Sequence, residues 1–355
     1  MSDELKKCRE QIDEIDDRLL QLVSRRAQLA RTIGSLKQGG PIYRPEREAQ
    51  ILRRLMENNP GPLADEAVTA IFRTVMSNCR ALEKELSVAF LGPPGTYSEE
   101  AASKQFGGLS KPVQCISIDE VFQAVEAGNV DYGVAPVENS TEGAIGRTLD
   151  LLLATSLRIC GEVELPVHHN LLSKAADKSG IGTIYSHAQS LAQCHEWLNR
   201  NLSGVERQAV ASNSEAAKLA ASDLGAAAIA GRRAGELYAL NLLAENIEDD
   251  PRNTTRFLVL ANHDVASSGR DKTSLAMATR NVPGAVVDLL TPLAKHGVSM
   301  SKLESRPAHT GLWEYVFFVD VEGHRETPHV RAAIQEMADK AAFLKILGSY
   351  PAAVI

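Results

Sequence analysis

Asn253, Thr254, Thr255 and Arg256 stand in a row between the turn Asp249-Asp250-Pro251 and the apolar run Phe257 to Leu260. Each of the four side chains can donate a hydrogen bond or carries charge, and all sit at the mouth of a strand patterned for burial. Two kinds of chemistry fit them. One is a capped turn, in which they satisfy backbone groups. The other is the edge of an active site, with hydroxyls and a guanidinium facing a polar substrate. A second group is cationic: Arg9, Arg26, Lys37 and Arg47, with Glu48 beside the last. Arg26 and Lys37 are separated by about 16 Å of helix rise, so long side chains leaning together can grip one small dianion. Read singly, each is a solvated surface charge.

Three kinds of element must position these groups. In residues 1–86, Leu5, Cys8, Ile12, Ile15, Leu19, Leu22, Leu29, Ile33 and Leu36 recur in steps of three and four, the seam of a helix that packs on other helices. The register asks for a core residue at 26, where the sequence has Arg26. A guanidinium there needs an anionic partner, from a buried ion pair or from a ligand in an anion-binding cavity. The first helix ends at Gly39-Gly40-Pro41, a second opens near Pro45, Asn58 to Pro62 stop it, and a third spans about 64–86. A first helix of roughly 50 Å outruns the two that follow, so dimerisation through intertwined helices is expected.

From Ser87 strand-like and helical runs alternate, predicting an α/β region with a mostly parallel sheet. Thr96 to Glu99, Ser117 to Glu120 and Ser212 to Glu215 have the spacing of capping boxes. A break near 164–172 divides the region into two lobes with a cleft between them. After residue 271 the pattern is βαββαβ, the ferredoxin-like order of a small appended module.

The net charge of −7 over 355 residues argues against a nucleic-acid surface. No apolar run reaches the roughly 20 residues of a membrane span, and the N-terminus has no signal-peptide core. Five scattered cysteines, none in CxxC spacing, fit reduced thiols in the cytoplasm, and neither a metal site nor a cofactor is expected.

The pattern REQIDEIDDRLLQLVSRRAQLA followed by YRPEREAQIL resembles the all-helical chorismate mutase family. The resemblance implies an intertwined dimer in which Arg9 reaches across from the partner subunit and Arg26 and Arg47 hold the carboxylates of chorismate. Lys37 would serve a carboxylate and the ether oxygen, and Glu48 the ring hydroxyl. It departs from the family at Cys79, where a serine is common, and at Glu83, where a glutamine beside the ether oxygen is common. Ionised Glu83 would repel charge growing on that oxygen; protonated, it would donate to it.

GPPGTYSEEAA (92–102), PVENSTEGAIG (136–146), SHAQSLAQC (186–194) and NTTRF (253–257) resemble prephenate dehydratase, in that family's order. The implied fold is two-lobed like the periplasmic binding proteins, with Thr255 the essential threonine. Thr96, Ser98, Asn139, Ser140, Ser186, Gln189 and Arg256 are the implied prephenate-binding residues, Arg256 either on a carboxylate or buttressing the loop. GAVVDLL (284–290) and ESRP (304–307) resemble the phenylalanine-binding motifs of the ACT domain, which implies allosteric phenylalanine at Gly284, Ala285, Val286, Glu304, Ser305 and Arg306, with residues 304–307 facing a neighbouring module.

The expected architecture is multidomain: an all-α intertwined helical mutase domain (1–86), a two-lobed α/β dehydratase domain (87–265) and an α+β ferredoxin-like ACT domain (272–351). The expected function is conversion of chorismate to prephenate and then to phenylpyruvate, inhibited by L-phenylalanine, in a homodimer or higher oligomer. The competing readings are a dehydratase whose mutase domain serves only dimerisation, and a non-catalytic amino-acid sensor.

Overall fold

The computed structural model describes residues 3–36, 40–279, 282–307 and 315–354. Helices α1 (Asp3–Leu36), α2 (Pro45–Glu57) and α3 (Asp65–Ala81) form the first module. Pro45 occupies the first turn of α2, where its missing N–H removes no helical bond. No residue of α1 is buried, and Leu5, Ile12, Ile15, Leu19, Leu22, Leu29 and Ile33 stand exposed along it. The apolar seam read from the sequence is therefore present but uncovered within one chain.

Lobe 1 is built from β1 (Ser87–Leu91), α4 (Tyr97–Phe106), β2 (Lys111–Cys115), α5 (Ile118–Glu126), β3 (Tyr132–Asn139), β4 (Gly143–Ala144), α6 (Gly146–Ala154) and β5 (Arg158–Pro166). The chain then crosses into lobe 2, with β6 (Asn170–Ser173), β7 (Thr183–His187), α7 (Ala188–Gln193), α8 (His195–Asn201), β8 (Glu206–Val210), α9 (Asn213–Ala220), β9 (Ala226–Ala230), α10 (Arg232–Leu237) and β10 (Asn241–Ala244). It returns to lobe 1 as β11 (Thr254–Ala261).

The sheets run β2-β1-β3-β11-β5 and β10-β6-β9-β7-β8. Only β2-β1-β3 and β9-β7-β8 are parallel runs; β11 pairs antiparallel with both β3 and β5, and β6 with both β9 and β10. The expected mostly parallel sheet is thus mixed in both lobes. In lobe 1 the reason is the double crossing: the chain leaves at the end of β5 and comes back at that same end, Thr254 opposite Pro166, so β11 runs back along β5. All three capping boxes form. Thr96, Ser117 and Ser212 accept from the backbone N–H of Glu99, Glu120 and Glu215, and those carboxylates accept from Gly95, Ile116 and Ala211 N–H.

The third module comprises β12 (Asp271–Ala278), α11 (Ala285–Lys295), β13 (Met300–Pro307), β14 (Tyr315–Glu322), α12 (Pro328–Lys340) and β15 (Phe343–Pro351), in the order β13-β14-β12-β15. One sheet face carries α11 and α12 over Leu275, Met277, Val319 and Val321. The other packs on lobe 1, where Phe318, Leu347 and Tyr350 share a core with Leu149, Leu152 and Ile159. Gly348 makes this approach possible, because a Cβ there would collide with the Ile159 carbonyl oxygen. The helical module is tied in by Arg53 of α2, which donates to the carbonyls of Arg270 (2.8 Å) and Ala352 (2.9 Å) and to Ser268 Oγ (2.9 Å). Among the described residues no helix is long and apolar enough to cross a membrane.

Candidate active sites

The cleft between the lobes encloses about 1070 Å³, and the start of β11 forms part of its floor. Strand pleating sends Thr255 into the cleft and its two neighbours to the opposite face. Asn139 of β3 lies directly across the antiparallel pair from Thr255, so their side chains meet. Asn139 Nδ2 donates to Thr255 Oγ1 and to Asn253 Oδ1, both at 2.8 Å. Its Oδ1 accepts from Thr141 N (3.0 Å), Thr141 Oγ1 (2.6 Å) and Glu142 N (3.2 Å), which fixes the orientation of the amide. The Thr255 hydroxyl therefore accepts from a locked donor and keeps its own proton for the cleft.

A second tier steadies this pair. Gln193 Nε2 donates to Thr141 Oγ1 at 3.1 Å, and Gln193 Oε1 accepts from Asn253 Nδ2 at 3.3 Å. His169 Nε2 lies 2.8 Å from Gln193 Oε1, and its Nδ1 lies 2.9 Å from the Tyr97 hydroxyl. Burial pulls the His169 pKa below the usual imidazole range, against the opposing pull of Gln193 and Glu248. The N-termini of α4 and α9, at Thr96 to Ser98 and Ser212 to Asn213, open on the same cleft and offer partial positive charge to an anion.

The expected cleft residues divide. Thr255, Asn139, Gln189, Thr96 and Ser98 line it. Ser186 does not: it is fully buried, its hydroxyl 2.9 Å from both the Ile229 carbonyl and Asn213 Oδ1. It supports Asn213, which does line the cleft. Ser140 also lies off the cleft wall, where its Oγ accepts from Thr254 N at 3.0 Å and clips the loop. Arg256 is the largest correction. Its Nε meets Glu162 at 2.8 Å, its Nη1 Asp320 at 2.6 Å and its Nη2 the Tyr350 hydroxyl at 2.9 Å, all on the side of the third module. Burial opposes the charge, but Tyr350, Asp320 and Glu162 outweigh it and raise the guanidinium pKa. Arg256 thus points away from the cleft, and its contacts join β11 to β5 and to the third module.

Gln193, His169, Asn213 and Tyr97 were missed as site residues, whereas Asn253 belongs to the polar row singled out at the start of β11. Gln193 could have been found, since it falls four residues after Gln189 on the same helix face. His169 had no local signal, because its partners come from both lobes.

In the helical module a cavity of about 520 Å³ lies among α1, α2 and α3. It brings together Arg26, Arg47, Glu48, Cys79 and Glu83, with Arg44, Arg54 and Arg80 beside them. Met76, Cys79, Arg80 and Glu83 follow one another at helical spacing, the signal by which Arg80 was legible and overlooked. Gly34 of α1 leaves room for Glu83, whose Cγ would stand 2.8 Å from a Cβ there. Burial raises the Glu48 pKa, opposed by Arg80, Arg26 and Arg73. Arg9 lies outside this cavity, on the exposed N-terminal part of α1. Lys37 lies outside the described residues.

In the third module Gly284 caps α11 with φ +82°, a conformation glycine adopts without strain. Ala285 and Val286 follow in the first turn. Alternation along β13 puts Lys302, Glu304 and Arg306 on the face toward lobe 1, and Ser305 on the other. Arg306 pairs with Asp150 of α6 at 3.1 Å in the same chain, so its side chain is not turned to a neighbouring module as expected.

The family models for chorismate mutase type II, prephenate dehydratase and the ACT domain match residues 8–84, 88–265 and 273–339. The bifunctional chorismate mutase/prephenate dehydratase of Neisseria gonorrhoeae is 53% identical over 350 residues, spanning 98% of this chain and 97% of that one. A prephenate dehydratase from Arthrobacter aurescens, solved in complex with L-Phe, is 30% identical with a TM-score of 0.70, covering 76% of this chain and 93% of its own. A structure described as GqqA, a novel type of quorum quenching acylase, is 29% identical with a TM-score of 0.69, covering 75% of this chain and 98% of its own. A polar-floored cleft between two lobes, a cationic helical cavity and a ferredoxin-like module together define a multidomain enzyme acting on small molecules. The chain belongs to the bifunctional chorismate mutase/prephenate dehydratase family.

Proposed function

We propose that the helical cavity rearranges chorismate to prephenate and that the cleft converts prephenate to phenylpyruvate. The observation that carries the second step is the Asn139–Thr255 pair. A hydroxyl that accepts from a locked amide is polarised toward donation, and the proton it retains faces the cleft. Prephenate sheds its ring carboxylate as carbon dioxide. The electrons of that bond enter the ring and expel the 4-hydroxyl, which needs a donor as it leaves. Thr255 supplies that hydrogen bond, and solvent supplies the proton that completes water. The helix N-termini of α4 and α9 suit the carboxylates of the dianion.

The first step is a unimolecular rearrangement. It needs a cavity that holds the reactive conformer and steadies charge on the ether oxygen, without a nucleophile or cofactor. Arg26 and Arg47 serve the carboxylates, Lys37 a carboxylate and the ether oxygen, Glu48 the ring hydroxyl, with Cys79 and Glu83 completing the wall and Arg9 coming from a second copy. The exposed seam of α1 supports a homodimer closed by that copy. L-Phenylalanine as inhibitor at Gly284, Ala285, Val286, Glu304 and Ser305 of the third module, and a cytoplasmic setting, belong to the same reading. Arg306 enters that site only if it leaves Asp150.

Chorismate given to the purified protein is expected to yield phenylpyruvate, with less formed as L-phenylalanine is added. Arg26→Ala is expected to lower the first step about a hundredfold or more, as loss of a charged contact to the transition state does, while added prephenate is still dehydrated. Phenylpyruvate formed from chorismate by Arg26→Ala at the parental rate refutes the helical assignment. Glu83→Gln removes the charge beside the ether oxygen and keeps a donor there, so the first step is expected to run at least at the parental rate. A slower first step in that variant removes this role from Glu83.

A further inference from the structure

Arg80, like Arg44 and Arg54, is a cation of the helical cavity that sequence reasoning passed over, and it differs from the others in what it touches. It is 7% exposed. Its Nη1 pairs with Glu48 Oε1, and its Nη2 donates to the Phe106 carbonyl at 2.7 Å. The guanidinium carbon sits 4.9 Å from the Tyr43 ring centroid and 5.9 Å from that of Phe106. Phe106 closes α4, so the carbonyl Arg80 holds is one that the helix itself leaves without a partner. Two charged bonds from one planar fork and a stack on two rings leave this side chain no second rotamer that keeps them all.

Resting on the mutase reading above, we propose that Arg80 is a positioning residue of the chorismate rearrangement. It fixes the Glu48 carboxylate in one orientation and as an acceptor, with one oxygen engaged by the guanidinium and the other turned to the substrate's ring hydroxyl. An ordinary structural ion pair would have no reason to put its carboxylate on the wall of the cavity, yet Glu48 lines it.

The charged groups facing Glu48 are Arg26 from α1 and Arg73 and Arg80 from α3, with the neutral phenol of Tyr43 from the segment before α2 beside them. Arg44, Arg47, Arg54 and Glu83 share the cavity. Burial already favours the protonated carboxyl, and Arg80 is the first of the groups that oppose it. With Arg80 gone, Glu48 holds its proton to higher pH and offers a donor where the substrate needs an acceptor. The sign follows. Activity that needs ionised Glu48 is present above its pKa and lost as pH falls through it, so removing Arg80 moves this acid limb upward.

The test measures the mutase reaction against pH in the full-length parent, Arg80→Met and Arg80→Lys, each repeated with Glu83→Gln so that the second carboxyl is silent. Arg80→Met is expected to raise KM for chorismate by about tenfold to a hundredfold at neutral pH. It is also expected to move the acid limb up by about one pH unit or more. Arg80→Lys restores the charge but cannot span Glu48 and the Phe106 carbonyl together, so the limb returns toward its parental position while KM stays raised. A folded Arg80→Met with the parental KM and acid limb overturns the inference. Where Arg80→Met does not fold, Arg80→Lys decides, and a parental KM there overturns it equally. If the parent itself does not rearrange chorismate, the mutase reading falls and this inference with it.

Discussion

Replacing Thr255 with valine is expected to stop the chain of reactions at prephenate. Valine keeps the shape of threonine and its preference for a strand, so the effect isolates one hydroxyl. That hydroxyl accepts from Asn139 at 2.8 Å and faces the cleft, and the proposed step asks it to donate to a departing oxygen. Loss of a positioned proton donor typically lowers a rate by about a hundredfold to ten-thousandfold. The variant also strands one N–H of the Asn139 amide, which costs about 1–3 kcal/mol of stability when buried and is read separately, by unfolding rather than by rate. With chorismate as substrate, prephenate should accumulate at the parental rate while phenylpyruvate falls by that factor. Thr255→Ser keeps a hydroxyl in the same place and should retain most of the activity. Phenylpyruvate formed by Thr255→Val at the parental rate would mean that Thr255 caps a turn and nothing more.

The second large effect is expected one residue further along the strand. Arg256, Lys272 and Lys302 interleave with Glu162, Asp320 and Glu138 between lobe 1 and the third module, at distances of 2.6 to 2.8 Å for the closest pairs. Ser274 donates to Asp320 at 2.5 Å and Ala353 N to Glu162 at 2.9 Å, so the carboxylates are held on several sides. Arg256→Met leaves Asp320 without its closest cation and Glu162 with Lys272 alone. Breaking one partner out of a buried ion pair costs about 3–5 kcal/mol, and unfolding by urea should show a loss of that size. Because Asp320 belongs to the third module, the double variant Arg256→Met with Asp320→Leu should recover part of the loss, which a double-mutant cycle reads directly. A single variant as stable as the parent would show that the network is solvated and contributes nothing. The adjacency also matters for function: Thr255 and Arg256 are consecutive residues on opposite faces of one strand, so the strand that carries the reactive hydroxyl is clamped from behind by the module proposed to bind phenylalanine.

Much of this protein is decided locally, and local features are the ones a sequence carries. The three- and four-residue steps from Leu5 to Ile33 produce a single helix, Asp3–Leu36, with its seam along one side. Thr96, Ser117 and Ser212 cap the helices that their Glu partners predict. The βαββαβ order after residue 271 appears element for element. Each of these depends on neighbours within a few residues. The four dehydratase motifs likewise converge on the region of one cleft, and Arg26, Arg47, Glu48, Cys79 and Glu83 on one cavity.

What the tertiary structure alone decided is which face of each element meets which partner. Strand pleating guarantees that Thr255 and Arg256 point apart, but only the pairing of β11 between β3 and β5 says that Thr255 has the cleft and Arg256 the buried charges of Glu162 and Asp320. The same holds for Ser186, turned inward to support Asn213, and for Arg306, turned to Asp150 rather than to a neighbouring module. It holds for Arg80, an ordinary helical arginine until α4 brings the Phe106 carbonyl to it. These contacts join residues tens to hundreds of positions apart. Periodicity and capping act over one or two helical turns, so they shape the elements and are silent on which distant surface each face will bury.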